Sequence, residues 1–86
     1  MKLYKDNQGR KLYPVANWQN NEHKIENEYS KLRLKNYEDM TKKELEYFDS
    51  LEEAYNEMEV IDNFIYANYN HYVILKEAIL NYNLRH

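Results

Sequence analysis

Apolar side chains recur at helical spacing from residue 18 to residue 40. At about 100° per residue, Trp18, Ile25, Tyr29, Leu32 and Met40, with Asn36 among them, fall in a stripe about 80° wide. The pattern predicts a helix over about 17–39. Asn17 suits its N-cap, because the side-chain oxygen can accept from a free backbone N–H of the first turn. Thr41-Lys42-Lys43-Glu44 matches the S/T-x-x-E capping box and predicts a second helix over about 41–67. Its buried stripe is Phe48, Leu51, Tyr55, Met58, Ile61 and Ile65. Neither Gly nor Pro separates the two segments, so one continuous helix through Met40 is the alternative reading. Beyond Met58 the apolar residues spread around the axis, with Val60, Phe64 and Tyr66 added, which implies deep burial or a partner at that end.

Asn68-Tyr69-Asn70 reads as a polar connector, with Asn70 capping a short third helix over about 71–82. Tyr72-Val73-Ile74-Leu75 is β-prone, but the length of the segment and Lys76-Glu77-Ala78 favour helix. Tyr72, Leu75, Ala78, Ile79 and Tyr82 make its larger apolar patch; Val73, Leu80 and Leu84 make a second. A helix apolar on two sides is central to its domain or also joins an interface. Before all of this, residues 2–13 read as a β-hairpin. Its turn is Asp6-Asn7-Gln8-Gly9, with Asp to open it and the chain's only Gly to close it at positive φ. The expected fold is a single α+β domain over 1–86, mostly α: an N-terminal hairpin packed on an antiparallel pair of long helices, plus a short C-terminal helix.

Composition narrows the function classes. Eighty-six residues without a cysteine exclude a disulfide framework, thiol catalysis and thiolate metal sites. A single glycine excludes phosphate-cradling Gly-rich loops. Ser30 and Ser50 fall inside helices without a nucleophile elbow, and Thr41 is taken up as a cap. His23, His71 and His86 show no paired ligand spacing, so surface or capping roles are expected and no metal or other cofactor. No catalytic constellation emerges, and the chain is expected not to be an enzyme. No apolar run approaches the roughly 20 residues of a membrane span, and no secretory leader is recognisable, so a cytoplasmic location in an infected or host bacterial cell is expected. Asn, Lys, Tyr and Ile fill 36 of the 86 positions. These residues use AT-rich codons, so a low-GC bacterium or its phage is the expected source. In size and composition alone, the chain resembles small accessory proteins of such phages and mobile elements.

The net charge of −3 is unevenly spread. Residues 41–67 carry eight acidic and two basic side chains. On the expected second helix, Glu46, Asp49, Glu52, Glu53, Glu57 and Glu59 form an outward ridge about 20 Å long. One DNA strand places about six phosphates over that length. Ten tyrosines against two phenylalanines add candidate anchors in Tyr66, Tyr69 and Tyr72, since Tyr combines a large ring with a polar tip. The expected function is therefore a non-enzymatic protein-binding module. More concretely, it is an inhibitor of a nucleic-acid-handling defence enzyme, of anti-CRISPR or anti-restriction type, whose partner is a nuclease or similar protein with a basic surface. The alternative is a homodimeric or larger assembly protein joined through the C-terminal helix. Direct nucleic-acid binding has only Lys2, Lys5, Arg10 and Lys11 in its favour, and the acidic balance opposes it.

Overall fold

Asp6 builds the first turn almost alone. Its carboxylate accepts from the backbone N–H of Gln8 and of Arg10, both at 2.9 Å, and from Arg10 Nε at 2.7 Å. These bonds, the Arg10 N–H first, hold the Asp6 carboxyl below its ordinary range. Gly9 closes the loop at φ 78° and donates its N–H to the Asp6 carbonyl at 2.9 Å. The structure, a computed structural model, describes residues 4–85, so the start of the expected hairpin at residue 2 lies outside the described residues. Within them the strands β1 (Tyr4–Lys5) and β2 (Lys11–Asn17) pair antiparallel. A Cβ at Gly9 would meet no atom within 4 Å, so the positive φ alone opposes a side chain there. Gly9→Ala should lower stability by about 1 kcal/mol; an unchanged urea midpoint would show that this turn does not hold the hairpin.

β2 runs beyond the expected end at residue 13. Pro14, which cannot donate, sits where the register slips by one residue between Pro14 and Ala16. The strand leads straight into α1 (Trp18–Arg33), with Asn17 as the N-cap accepting from Gln19 N–H, as expected. Helix α1 stops at Arg33 rather than near 39. A single 3₁₀ turn over Tyr37–Asp39 follows, so the continuous-helix alternative does not occur. Helix α2 (Lys42–Glu57) opens on the expected capping box: Thr41 Oγ1 accepts from Glu44 N–H, and the Glu44 carboxylate accepts from Thr41 N–H.

The second helix ends ten residues short of expectation. Met58 adopts an extended conformation, and the chain forms a second hairpin of β3 (Glu59–Ile61) and β4 (Phe64–Ala67). Asp62 and Asn63 make its turn with φ of 52° and 67°. Both central residues are thus left-handed, as in the two-residue turns whose twist matches that of paired strands. Asp and Asn enter that region more readily than other residues with a Cβ, so the turn forms without glycine. β4 also pairs with β2, giving one antiparallel four-stranded sheet in the order β1-β2-β4-β3.

Helix α3 (Tyr69–Arg85) is longer than expected and starts earlier. Asn68, not Asn70, accepts from the His71 N–H at 2.9 Å and so caps it. Helix α3 packs against α1, α2, β2 and β4 and is the central helix of the domain. The fold is α+β and 63% helical. Its core joins Val15, Ile65 and Ala67 of the sheet to Ile25, Leu51, Ala54, Leu75 and Ala78 of the helices.

Tyrosines tie α1 to α2. The Tyr29 hydroxyl donates to Glu52 at 2.8 Å, and the Tyr55 hydroxyl donates to Glu26 at 2.6 Å. Their rings stack at 5.6 Å, and Phe48 also stacks on Tyr29 at 5.7 Å. The bond to Glu52 raises the Tyr29 hydroxyl pKa, and burial, followed by the bond to Glu26, pushes that of Tyr55 up to about 12. On a helical wheel Glu28 falls among Lys24, Lys31 and Lys35, a flank that reads from the sequence as solvated. In the fold it is buried, and Arg85 at the end of α3 pairs with it.

Candidate functional site

Four of the six ridge carboxylates share the outer face of α2: Glu46, Asp49, Glu53 and Glu57, all exposed. Because α2 is a regular helix, they extend about 16 Å along its axis. Glu52 is half-buried and turned toward Tyr29. Glu59 is not on the helix at all but on β3, opposite Tyr66. The ridge is therefore shorter than the sequence implied, because the helix gives way to strand after Glu57.

The tyrosine trio also separates. Tyr66 is 5% exposed. It packs edge-on against Tyr4 at 4.6 Å and beside Phe64 at 6.1 Å, and its burial raises the hydroxyl pKa. It is an interior residue and offers no anchor. Tyr69 is 59% exposed and stacks on Tyr72 at 6.1 Å, while Tyr13 of β2 touches both rings. Lys76 Nζ lies 5.4 Å from the Tyr72 ring centre. Tyr69 and Tyr72 thus remain a surface aromatic pair at the start of α3.

The C-terminal end of the ridge borders a polar groove between the first turn, the end of α2 and the start of α3. Its two lobes hold about 260 and 350 Å³ and share Arg10, Glu57 and Asn68. Glu53 and Glu57 face His71 across the larger lobe, with carboxylate oxygens 3.8 and 3.6 Å from Nε2. All three donor atoms lie within 4.8 Å of one another. The four-residue spacing of the two glutamates is visible in sequence. The approach of His71 is not, because it depends on how α3 crosses α2.

A third feature is apolar. Val73, Leu80 and Leu84 on the outer side of α3 are 44%, 56% and 76% exposed, as the second apolar patch of that helix implies. No helix among the described residues is long and apolar enough to cross a membrane. No protein-family model, curated protein or solved structure matches the chain.

Proposed function

We propose that the chain is a non-enzymatic protein-binding module whose acidic α2 face docks on a basic groove of a nucleic-acid-handling enzyme, of the restriction-nuclease or CRISPR-effector kind, and blocks it. One observation carries this reading. Glu46, Asp49, Glu53 and Glu57 form an exposed carboxylate face whose only ion pairs among the described residues are those of Glu53 and Glu57 with His71. The face also opposes the helix macrodipole. Acidic groups gather toward the negative C-terminal end, and the last turn of α2 holds no basic residue. Stability alone favours the reverse arrangement, so the pattern points to a partner. About five phosphates of one DNA strand span the same length, and Tyr69 offers an exposed aromatic anchor at the start of α3.

The test is a triple reversal, Asp49, Glu53 and Glu57 to Lys, because one exposed charge contributes too little alone. The association rate with a captured partner should fall at least about tenfold at low salt and recover toward wild type as salt is raised. The melting temperature should stay close to wild type, since no core contact is touched. Surface plasmon resonance at two salt concentrations gives the answer; unchanged association by the triple variant would reject the proposal.

The exposed Val73, Leu80 and Leu84 favour a second reading, a homodimer joined through α3. Sedimentation equilibrium separates the two: a dimer that persists at high salt and is lost in Leu80→Glu supports assembly, whereas a monomer at all concentrations removes it.

A further inference from the structure

Among the described residues, Glu53, Glu57 and His71 form a cluster of three metal-ligating side chains. Two oxygens come from successive turns of α2 and one ring nitrogen from the first turn of α3. A tetrahedral ion with bonds of about 2.0–2.1 Å sets its donors about 3.4 Å apart. The observed separations from His71 Nε2, 3.6 and 3.8 Å, need only small rotations of two exposed glutamates. Packing restricts the His71 ring, whose side chain is 12% exposed. The groove leaves room for waters to complete the coordination, in a lobe of about 350 Å³. Two carboxylates converging at the negative end of a helix dipole repel each other, and a cation between them removes that repulsion.

We propose that Glu53, Glu57 and His71 bind one first-row divalent transition-metal ion, with Zn²⁺ as its representative. The imidazole nitrogen in the donor set argues against Mg²⁺ and Ca²⁺, which take oxygen ligands. Glu53 and Glu57 also belong to the acidic face proposed to dock, but the test of metal binding involves no partner protein.

Asn68 sets the affinity. Its Oδ1 accepts the His71 backbone N–H, so its Nδ2 faces the ring. A neutral ring that binds metal through Nε2 carries its proton on Nδ1, which then needs an acceptor, and the single oxygen of Asn68 is already engaged. Asn68→Asp supplies a second oxygen. One can cap α3 while the other accepts Nδ1–H, the carboxylate–histidine–metal arrangement that strengthens such ligands.

The experiment titrates Zn²⁺ into the purified chain, free of any histidine tag, by isothermal calorimetry, with Co²⁺ absorption as a report of coordination. One saturable site is expected. His71→Ala and Glu57→Gln should each weaken it at least about tenfold, while circular dichroism confirms that the variants fold. Asn68→Asp should bind about tenfold tighter than Asn70→Asp, which adds the same charge to the same groove at a residue with no hydrogen bond to the ring. Failure of the wild type to saturate below about 1 mM, a Kd no tighter than about −4 kcal/mol implies, overturns the proposal. So does undiminished binding by His71→Ala, which would reduce the site to surface carboxylates. An Asn68→Asp variant no tighter than Asn70→Asp overturns the assignment of His71 as a ligand.

Discussion

Leu75→Ala should cost about 2–5 kcal/mol of unfolding free energy, the range for truncating a buried leucine. Leu75 is fully buried on the one helix that touches both other helices and the two central strands. It belongs to the same core cluster as Ile25, Leu51 and Ile65, which are also inaccessible to solvent. None of these neighbours can follow the shortened side chain without moving an element held elsewhere, so collapse of the cavity should be incomplete. A domain of this size has roughly 4–13 kcal/mol in total. The variant should therefore melt at least about 10 °C lower than wild type. Val73→Ala on the same helix is the control. Val73 is 44% exposed, and its replacement should change stability by about 0.5 kcal/mol or less. Urea titrations followed by circular dichroism measure both. A loss below about 1 kcal/mol for Leu75→Ala would mean that α3 is not the centre of the core.

The same contrast shows where sequence patterning carries information. Ile25, Leu51 and Leu75 were readable as core because each belongs to a long stripe of period 3.6. Asn17, Thr41 and Glu44 were readable as caps because their chemistry is local. Residues 59–67 misled for a physical reason. Val60, Ile61, Phe64, Ile65 and Tyr66 fit no single helical face, and that spread is itself what a strand produces on a helical wheel. The pair Asp62-Asn63 between two β-branched and aromatic runs is a hairpin signal. It passed as helix because it lacks the glycine that usually marks such turns, and because the capping box at Thr41 promised a long continuation.

The candidate site divides in the same way. Glu46, Asp49, Glu53 and Glu57 are spaced along one helix, so period alone places them together. Glu59 left the ridge and Tyr66 left the surface for one reason, the conversion of that segment to strand. The groove with His71 needed the packing of α3 on α2, and no spacing within either helix encodes it. The abundance of tyrosine also changes meaning. Tyr29 and Tyr55 exchange hydrogen bonds with Glu52 and Glu26 across the α1–α2 seam, so part of the excess is structural. That seam uses the polar tip of each ring at a half-buried position, where Phe would leave the facing carboxylate without its donor.

Glu28 yields the second large expectation. Its side chain is 5% exposed and pairs with Arg85, whose own side chain is 40% exposed. No other donor reaches Glu28 Oε1 among the described residues. Removing the guanidinium by Arg85→Ala leaves a carboxylate buried without a countercharge. Breaking a fully buried pair costs about 3–5 kcal/mol. Because solvent reaches Arg85, a loss of about 2–3 kcal/mol is expected here. The pair itself should add little net stability, since the gain from attraction is offset by desolvation of the carboxylate. Replacing both residues by leucine should therefore return the protein to within about 1 kcal/mol of wild type. The cycle formed by Arg85→Leu, Glu28→Leu and the double variant measures the coupling directly. A coupling near zero, with Arg85→Ala as stable as wild type, would show that the end of α3 does not close over Glu28. A large coupling would instead show that the last turn of α3, beyond the end at residue 82 that its apolar pattern implies, pins this helix to α1.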